Sequence, residues 1–211
     1  MIKKSIPLFL IFISLAGIIY INNYQRLITK QLNFPEKYIW EGISPNWNGQ
    51  KIEDIFSSAE IIVRYPHSVW YGQEKYIYWE YHNPQKHNSE EIVLSFSDSL
   101  IFNIIVELKI GSLPIHPNGE MYFPLQSQEQ IGMRWKVEFN QNHLHNGRLW
   151  VYISVLNLDE NISSQATLFA IPIEIKTISL FGLGIHHVQI IFAKILLINL
   201  FYFFYLVRIR Q

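Results

Sequence analysis

A continuous stretch of mostly apolar residues, Val188–Val207, constrains the fold of this chain more than any other feature of its sequence. An α-helix of about 20 residues is about 30 Å long, which matches the hydrocarbon core of a bilayer. Arg208 and Arg210 follow the stretch, and two tyrosines lie near this basic end, as in the aromatic belts of membrane helices. These features predict a C-terminal transmembrane helix with a basic cytoplasmic end over residues 188–211.

A second apolar stretch, Ile6–Ile21, lies near the N-terminus and follows Lys3 and Lys4. Its sixteen uncharged residues reach only about 24 Å as a helix, so a complete span needs residues on both sides of it. We predict an uncleaved transmembrane signal anchor over residues 1–24. The alternative is a cleaved signal peptide, because Ser14–Ala16 is a small-x-small cleavage pattern.

Two spans would place both termini on the same side of the membrane. Basic residues flank the membrane four times on the terminal side and three times on the central side. The terminal four are Lys3, Lys4, Arg208 and Arg210, and the central three are Arg26, Lys30 and Lys176. The positive-inside rule then predicts a two-pass protein of the cell membrane with cytoplasmic termini and an extracytoplasmic centre.

Composition excludes several classes of function. The 17 basic and 17 acidic residues cancel, which argues against a nucleic-acid-binding surface. The absence of cysteine excludes disulfides, thiolate zinc sites and a cysteine nucleophile. The sequence has no nucleophile elbow, zincin motif, glycine-rich phosphate loop or EF-hand spacing. We therefore predict no cofactor and no metal.

Between the apolar stretches the hydrophobic pattern has a period of two, which is typical of half-buried strands. Apolar residues alternate with Arg134, Lys136 and Glu138, for example. The pattern predicts seven strands, over 61–65, 75–82, 92–97, 104–110, 133–139, 149–155 and 169–176. We expect an all-β ectodomain, an antiparallel β-sandwich with immunoglobulin-like or fibronectin-like architecture, flanked by N- and C-terminal transmembrane helices.

The predicted β-sandwich domain covers residues 60–178. A juxtamembrane connector, 25–59, precedes it, and a short membrane-proximal segment, 179–187, joins it to the second span. The connector contains Trp40 and Trp47 but no sustained hydrophobic period. Pro172 would remove a donor from the strand ladder, so we expect the last strand to lie at a sheet edge.

The strand from Glu74 to His82 carries the main predicted binding surface. If its apolar register faces the core, two tyrosines flanked by carboxylates face outward, a composition suited to binding a protein or a sugar. Trp150 and Tyr152 have the outward register of another strand and add candidates for the same surface. The alternative is structural, namely cross-strand aromatic pairing or cover by the connector. The predicted binding residues are Tyr76, Tyr78, Glu80, His82, Trp150 and Tyr152.

Other polar residues have mainly structural interpretations. His143 and His145 lie in a polar stretch predicted to be an exposed turn, and a metal site there is the less favoured alternative. His186 and His187 precede the second span and suit the membrane interface. Lys194, the membrane-embedded polar residue, lies about 9 Å into the span, from where its side chain can snorkel to the surface.

These observations predict a non-catalytic recognition or assembly module held at the membrane, such as an accessory subunit of a membrane complex. The expected partners are the lipid bilayer and a protein in or at the membrane, with a glycan as the other candidate ligand. The alternative function is an envelope enzyme acting on glycan or lipid, with Glu80 and Glu120 as its acids.

Overall fold

The computed structural model describes residues 2–23, 26–33, 59–83, 100–125, 130–157 and 162–209. Two helices precede and follow a β-rich centre along this part of the chain: α1 (Ile2–Asn23) and α2 (Ile185–Arg208). The ten strands between them are β1 (Leu27–Asn33), β2 (Glu60–Pro66), β3 (Ser68–Trp70), β4 (Gln73–His82), β5 (Leu100–Ile110), β6 (Ile115–His116), β7 (Glu120–Pro124), β8 (Gln130–Phe139), β9 (Leu144–Asn157) and β10 (Ile162–Ile178).

The strands form two five-stranded sheets. The first sheet has the order β1-β2-β4-β8-β6, and every neighbouring pair in it is antiparallel. The second has the order β3-β10-β9-β5-β7, in which β3 and β10 are parallel and the remaining pairs antiparallel. The prediction of a mainly β centre is therefore confirmed.

The two sheets share one hydrophobic core. Alternation along β4 turns Ile77 and Trp79 inward, and both are fully buried. On the second sheet, Ile104 of β5 and Ile153 of β9 are register partners and are buried in the same cluster. The rings of Trp79 and Phe123 stack between the sheets, with centroids 5.7 Å apart. The outward faces of the two sheets consequently lie on opposite sides of the β domain.

Six of the seven predicted strands correspond to β2, β4, β5, β8, β9 and β10. The seventh prediction, 92–97, lies outside the described residues. Strand β1 was not predicted, although it falls within the expected connector and pairs with β2. Its half-buried positions are Ile28, Lys30 and Leu32, so a lysine occupies the apolar register and breaks the hydrophobic period. Likewise β3, β6 and β7 are too short to give a clear pattern.

Pro172 lies where β10 is paired on one side only, among the residues described. It pairs with Arg148 of β9, whereas β3 pairs only with residues 176–178. On the unpaired side, the Lys30 ammonium donates a hydrogen bond to the Pro172 carbonyl oxygen at 2.6 Å. The missing N–H of proline therefore costs the ladder no bond. The expected edge is only local, because β3 and not β10 is the terminal strand of this sheet.

The second helix is tied directly to the β domain. The Ile185 N–H donates to the Tyr71 carbonyl oxygen at 3.0 Å, and the Tyr71 N–H donates to the Ile178 carbonyl oxygen at 2.9 Å. Gly184 has no room for a side chain, because a Cβ there would lie 2.9 Å from the Tyr71 oxygen. Trp70 and Ile185 pack at the junction in a small buried cluster that is separate from the main core. The two remaining members of this cluster besides Trp70 and Ile185 are Ile21 of α1 and Val188 of α2.

The two helices pack against each other. Gly17 of α1 faces the Phe192 ring so closely that a Cβ would lie 2.8 Å from it. Of the helices that the structure describes, α2 alone is long and apolar enough to cross a membrane by length and composition. The apolar part of α1, Ile6–Ile21, is shorter. Lys194 is exposed on α2.

Candidate functional site

The predicted binding residues lie on two different sheets. Tyr76 and Tyr78 project outward from β4 in the first sheet, whereas Trp150 and Tyr152 project outward from β9 in the second. The outward register predicted for both pairs agrees with the complete burial of the inner residues of β4 and β9. The expectation that the two pairs share one surface is wrong, because the sheets turn these faces in opposite directions. Alternation identifies the outer side of a strand but not the sheet to which the strand belongs.

The outer surface around β4 is a network of charged and aromatic cross-strand contacts. We call it the β4 face, and its members are Arg64, Glu74, Tyr76, Tyr78, Glu80, His82, Arg134 and Lys136. Arg64 forms a bidentate ion pair with Glu80, with both N–O distances 3.0 Å. The guanidinium of Arg134 lies over the Tyr76 ring, 5.2 Å from its centroid. Two of the acids on this face are therefore engaged with bases, because Lys136 also pairs with Glu74 at 2.8 Å.

These contacts join neighbouring strands and so stabilise the first sheet. Tyr78 is the register partner of Arg64 on one side and of Arg134 on the other, and its ring lies 6.3 Å from that of Tyr76. The hydrogen bond that the Lys136 ammonium donates to Glu74 raises the pKa of Lys136, which keeps that ammonium charged. Tyr76 is 41% exposed, and His82 is exposed at the end of the strand. The connector tryptophans, Trp40 and Trp47, lie outside the described residues.

The second outward surface centres on β9. We call it the β9 face, and it comprises Ile105, Glu107, Lys109, Glu120, Tyr122, Arg148, Trp150 and Tyr152 from strands β5, β7 and β9. Arg148 lies over the Trp150 ring at 5.7 Å, and the Trp150 and Tyr152 rings are nearly parallel, with an interplanar angle of 7°. Arg148, Trp150 and Tyr152 thus form a ladder along one strand. On β7, which β5 separates from the ladder, Tyr122 is 61% exposed.

Strand pairing brings the charged and aromatic members of the β9 face together. Ile105 is the register partner of both Tyr122 and Tyr152, and it is only 1% exposed although it faces outward. Glu107 is likewise the partner of both Glu120 and Trp150, and it is 9% exposed. The face is therefore a continuous, partly buried surface built by three strands that are distant in the sequence.

Hydrogen bonds and burial determine which side chains of the β9 face are charged. The Lys109 ammonium lies 2.7 Å from a Glu107 carboxylate oxygen, and this bond raises the pKa of Lys109. The Tyr122 hydroxyl donates to Glu120 at 2.7 Å, which raises the pKa of Tyr122. Burial, followed by the nearby Glu107 charge, raises the pKa of Tyr152. Both tyrosines therefore stay neutral donors, and Lys109 stays charged, at neutral pH.

Sequence reasoning missed six members of this face as contact residues, and it named one of them, Glu120, only as an acid of the alternative enzyme. Glu107, Lys109 and Arg148 lie on or next to predicted strands. They were missed because the predicted binding surface was identified by outward aromatic residues, and these three residues are charged. Tyr122 and Glu120 lie on β7, a five-residue strand that the sequence did not predict. The only available signal was a five-residue alternation in which Met121 and Phe123 face the core. The remaining missed residue of the face is Ile105, whose outward position is apolar and suggests no site.

The acids proposed for an enzyme do not come together. Glu80 lies on the β4 face and Glu120 on the β9 face, so the β domain separates them. Besides Glu74 and Glu138 of the first sheet, strand pairing places two carboxylates of the β9 face opposite each other, Glu107 and Glu120. Each already has a partner, since Glu107 contacts Lys109 and Glu120 accepts the hydrogen bond of the Tyr122 hydroxyl. Like charges on directly opposed strand positions are destabilising unless compensated in this way.

The expectation that His145 lies in an exposed turn is wrong. His145 is 4% exposed within β9, and its Nε2 lies 2.9 Å from Thr177 Oγ1 and 3.2 Å from the Gln141 carbonyl oxygen. Its ring centroid is 4.2 Å from that of exposed His143. Burial and the neighbouring His143 lower the pKa of His145, although the Gln141 carbonyl opposes this. Among the described residues, no group of three potential metal ligands occurs.

A groove of about 350 Å³ runs along the unpaired part of the β10 edge. Apolar and charged side chains line it from β1, β2, β9, β10 and the single residue between β2 and β3. The lining residues are Ile28, Lys30, Tyr65, His67, Leu144, Pro172, Glu174 and Lys176. Lys30 is already committed to the Pro172 carbonyl oxygen and lies 5.7 Å from the centroid of the Tyr65 ring. We therefore rank this groove below the β9 face as a candidate site.

Comparison with models of known protein families gives no match, and a search of curated protein sequences gives no significant match either. Functional inference for this chain therefore depends on its own geometry. Two features are available for that inference: the apolar helix α2 with the helix packed against it, and the two outward faces of the β domain.

Proposed function

We propose that the protein is a membrane-anchored, non-catalytic recognition or assembly module, with the β9 face as its contact surface. In this proposal α1 and α2 both cross the membrane, the termini are cytoplasmic and the β domain is extracytoplasmic. The length and hydropathy of α2 support the anchor, and the packing of Gly17 against Phe192 supports α1 as its neighbour in the bilayer. Small residues at helix contacts are frequent in membrane helix pairs. External protease digestion of end-tagged protein in intact cells tests the orientation.

We further propose that the β domain is an immunoglobulin-like or fibronectin-like sandwich. In immunoglobulin domains, strands A, B, E and D form one sheet and strands G, F and C the other, with C′ beside C. The orders β2-β4-β8-β6 and β10-β9-β5-β7 correspond to this arrangement and support the proposal. One departure is that β6, in the place of D, precedes β7, in the place of C′, along the chain.

The single observation that carries the contact surface is the ladder of Arg148, Trp150 and Tyr152, which shares its face with exposed Tyr122 two strands away. Tryptophan, tyrosine and arginine are the residues most enriched among binding hot spots in protein interfaces. Sugars stack on free aromatic ring faces, whereas Arg148 lies over Trp150 and the Tyr152 ring lies parallel to it. The ladder therefore favours a protein partner over a glycan.

Partner association of the full chain in mild detergent tests this proposal. We expect a stoichiometric membrane protein to co-purify with the wild type and to be lost from the double variant Trp150→Ser/Tyr152→Ser. The matched control is Tyr76→Ser/Tyr78→Ser on the β4 face, which should retain the partner. Thermal unfolding of each variant separates loss of contact from loss of fold.

Two results would contradict the β9 face as the contact surface. One is retention of the partner by folded Trp150→Ser/Tyr152→Ser protein. The other is equal loss of the partner from both double variants at unchanged thermal midpoints. The second result would instead support the β4 face as part of the contact surface, as the sequence predicted.

A further inference from the structure

We propose that the turn between β10 and α2 inserts its tip, Phe181, into the interfacial region of the lipid bilayer. This inference rests on the proposed membrane span of α2. Insertion of Phe181 adds a second contact with lipid besides that of α2. This contact is made by the turn that joins β10 to the helix. The partner of the turn is the lipid bilayer, at the boundary between its headgroups and acyl chains.

The turn has a geometry that a phenylalanine adopts only under constraint. The Leu183 N–H donates to the Leu180 carbonyl oxygen at 2.9 Å, which closes the turn over its two central residues. Both of these have positive φ angles, 53° at Phe181 and 75° at Gly182. Glycine takes such angles freely, whereas a bulky side chain at positive φ is an outlier. Backbone strain of this kind is retained only where the surroundings or the function require it.

Within the part of the chain that the structure describes, the strained residue gains almost no packing in return. The Phe181 side chain is 93% exposed and that of the adjacent Leu180 is 39% exposed. In water, this arrangement combines an unfavourable backbone conformation with a fully hydrated aromatic ring. Insertion into a lipid interface would bury the ring, since phenylalanine and leucine are typical side chains on the apolar face of interfacial segments. The bilayer thus supplies the burial that the fold does not.

The junction holds the turn at the membrane surface. Helix α2 begins at Ile185, two residues after the turn closes, and the Ile185 N–H is bonded to the Tyr71 carbonyl oxygen at 3.0 Å. On the other side, the Asn142 side chain donates to Ser179 Oγ at 2.8 Å. Both attachments fix the turn relative to the first residues of α2. If α2 enters the bilayer, Phe181 therefore lies at the depth where it enters.

The absence of cysteine makes the chain suitable for single-site labelling. We would place a nitroxide on Phe181→Cys, and separately on Leu180→Cys, which keeps Phe181. The reference sites are Ile198→Cys, exposed on α2, and Tyr122→Cys, exposed on the β9 face. Each full-length variant is reconstituted into vesicles of phosphatidylcholine and phosphatidylglycerol. Collision rates with oxygen and with a water-soluble nickel chelate then report the depth of each label.

We expect the labels at both turn positions to show a higher ratio of oxygen to nickel collisions than the label at Tyr122, and a lower ratio than the label at Ile198. A turn whose labels behave like Tyr122 while Ile198 lies in the bilayer would overturn this proposal and leave the membrane anchor intact. A water-like ratio at Ile198 would overturn the anchor and the inserted turn together. Circular dichroism of each variant confirms that the labelled chain is folded.

Discussion

At the scale of single residues, the clearest difference between sequence and structure is His145. A polar stretch of asparagine, glutamine and histidine suggested an exposed turn, yet His145 is a buried strand residue that links β9 to Thr177 near the end of β10. Its ring also packs edge-on against Phe139, with centroids 5.7 Å apart. The role of His145 is therefore to join strands at the end of the β domain next to α2.

The lowered pKa of His145 predicts a pH-dependent stability. Because the folded state holds this side chain neutral below its ordinary pKa of 6.5, the unfolded state binds more protons as the pH falls past that value. The free energy of unfolding should therefore decrease as the pH drops below 6.5. Thermal unfolding of the wild type and of His145→Gln between about pH 5 and pH 8 measures this effect. An identical pH slope for both proteins would show that His145 does not contribute.

At the scale of elements, the helix pair depends on one glycine. Gly17 lets α1 approach the Phe192 ring of α2, and an added Cβ would come within 2.8 Å of that ring. The side of α1 that carries Ala16 is exposed, so a larger residue there meets no neighbour of this kind. A contact so close to an aromatic ring can be relieved only by moving the ring or separating the helices.

We expect Gly17→Leu to separate α1 from α2, with a loss of about 1–3 kcal/mol typical of overpacked contacts. Ala16→Leu is the matched control and should be nearly neutral. The measurement is the thermal midpoint of the full chain in detergent, together with the double variant Gly17→Leu/Phe192→Ala. If the ring is the obstacle, removing it should recover much of the loss. Equal effects of the leucine at both positions would contradict this account.

The strands show how far local pattern can be read. Strand β8 was predicted over 133–139 because Trp135 and Val137 alternate there with charged residues. Strand β1 was missed because Lys30 occupies its apolar register, and β7 was missed because it has only five residues. Each missed strand depends on a partner distant in the sequence, namely β2 for β1 and β5 for β7. Such pairing is not visible in a single strand.

At the scale of the whole molecule, β1 belongs structurally to the first sheet. It pairs with β2 over all seven of its residues, and its Ile28 and Leu32 pack against the shared core. The Arg26 carbonyl oxygen also accepts a hydrogen bond from the His67 N–H at 2.8 Å. A fragment that begins at residue 60 would therefore lack a strand and leave the edge of β2 open.

We expect residues 26–178, without the helices, to fold as an independent β protein. The shorter fragment 60–178 should be less stable by about 2 kcal/mol, since it lacks the packing of Ile28 and Leu32 on the core and leaves the edge of β2 unpaired. Circular dichroism tests the fold, and urea unfolding compares the two free energies. A helical or disordered spectrum for the longer fragment would contradict the prediction of an independent domain. Equal stability of the two fragments would show that β1 contributes nothing to the fold.

The sequence by itself determined the features that depend on neighbours along the chain. The apolar length of α2 and the inner faces of β8 and β9 follow from local hydrophobic pattern, which a single sequence displays. Only the tertiary structure decided which sheet each strand joins. That choice separated Tyr76 from Trp150 and brought Glu107 beside Glu120, because strand pairing is set by long-range packing and by register. The β9 face therefore exists only once β5, β7 and β9 are paired.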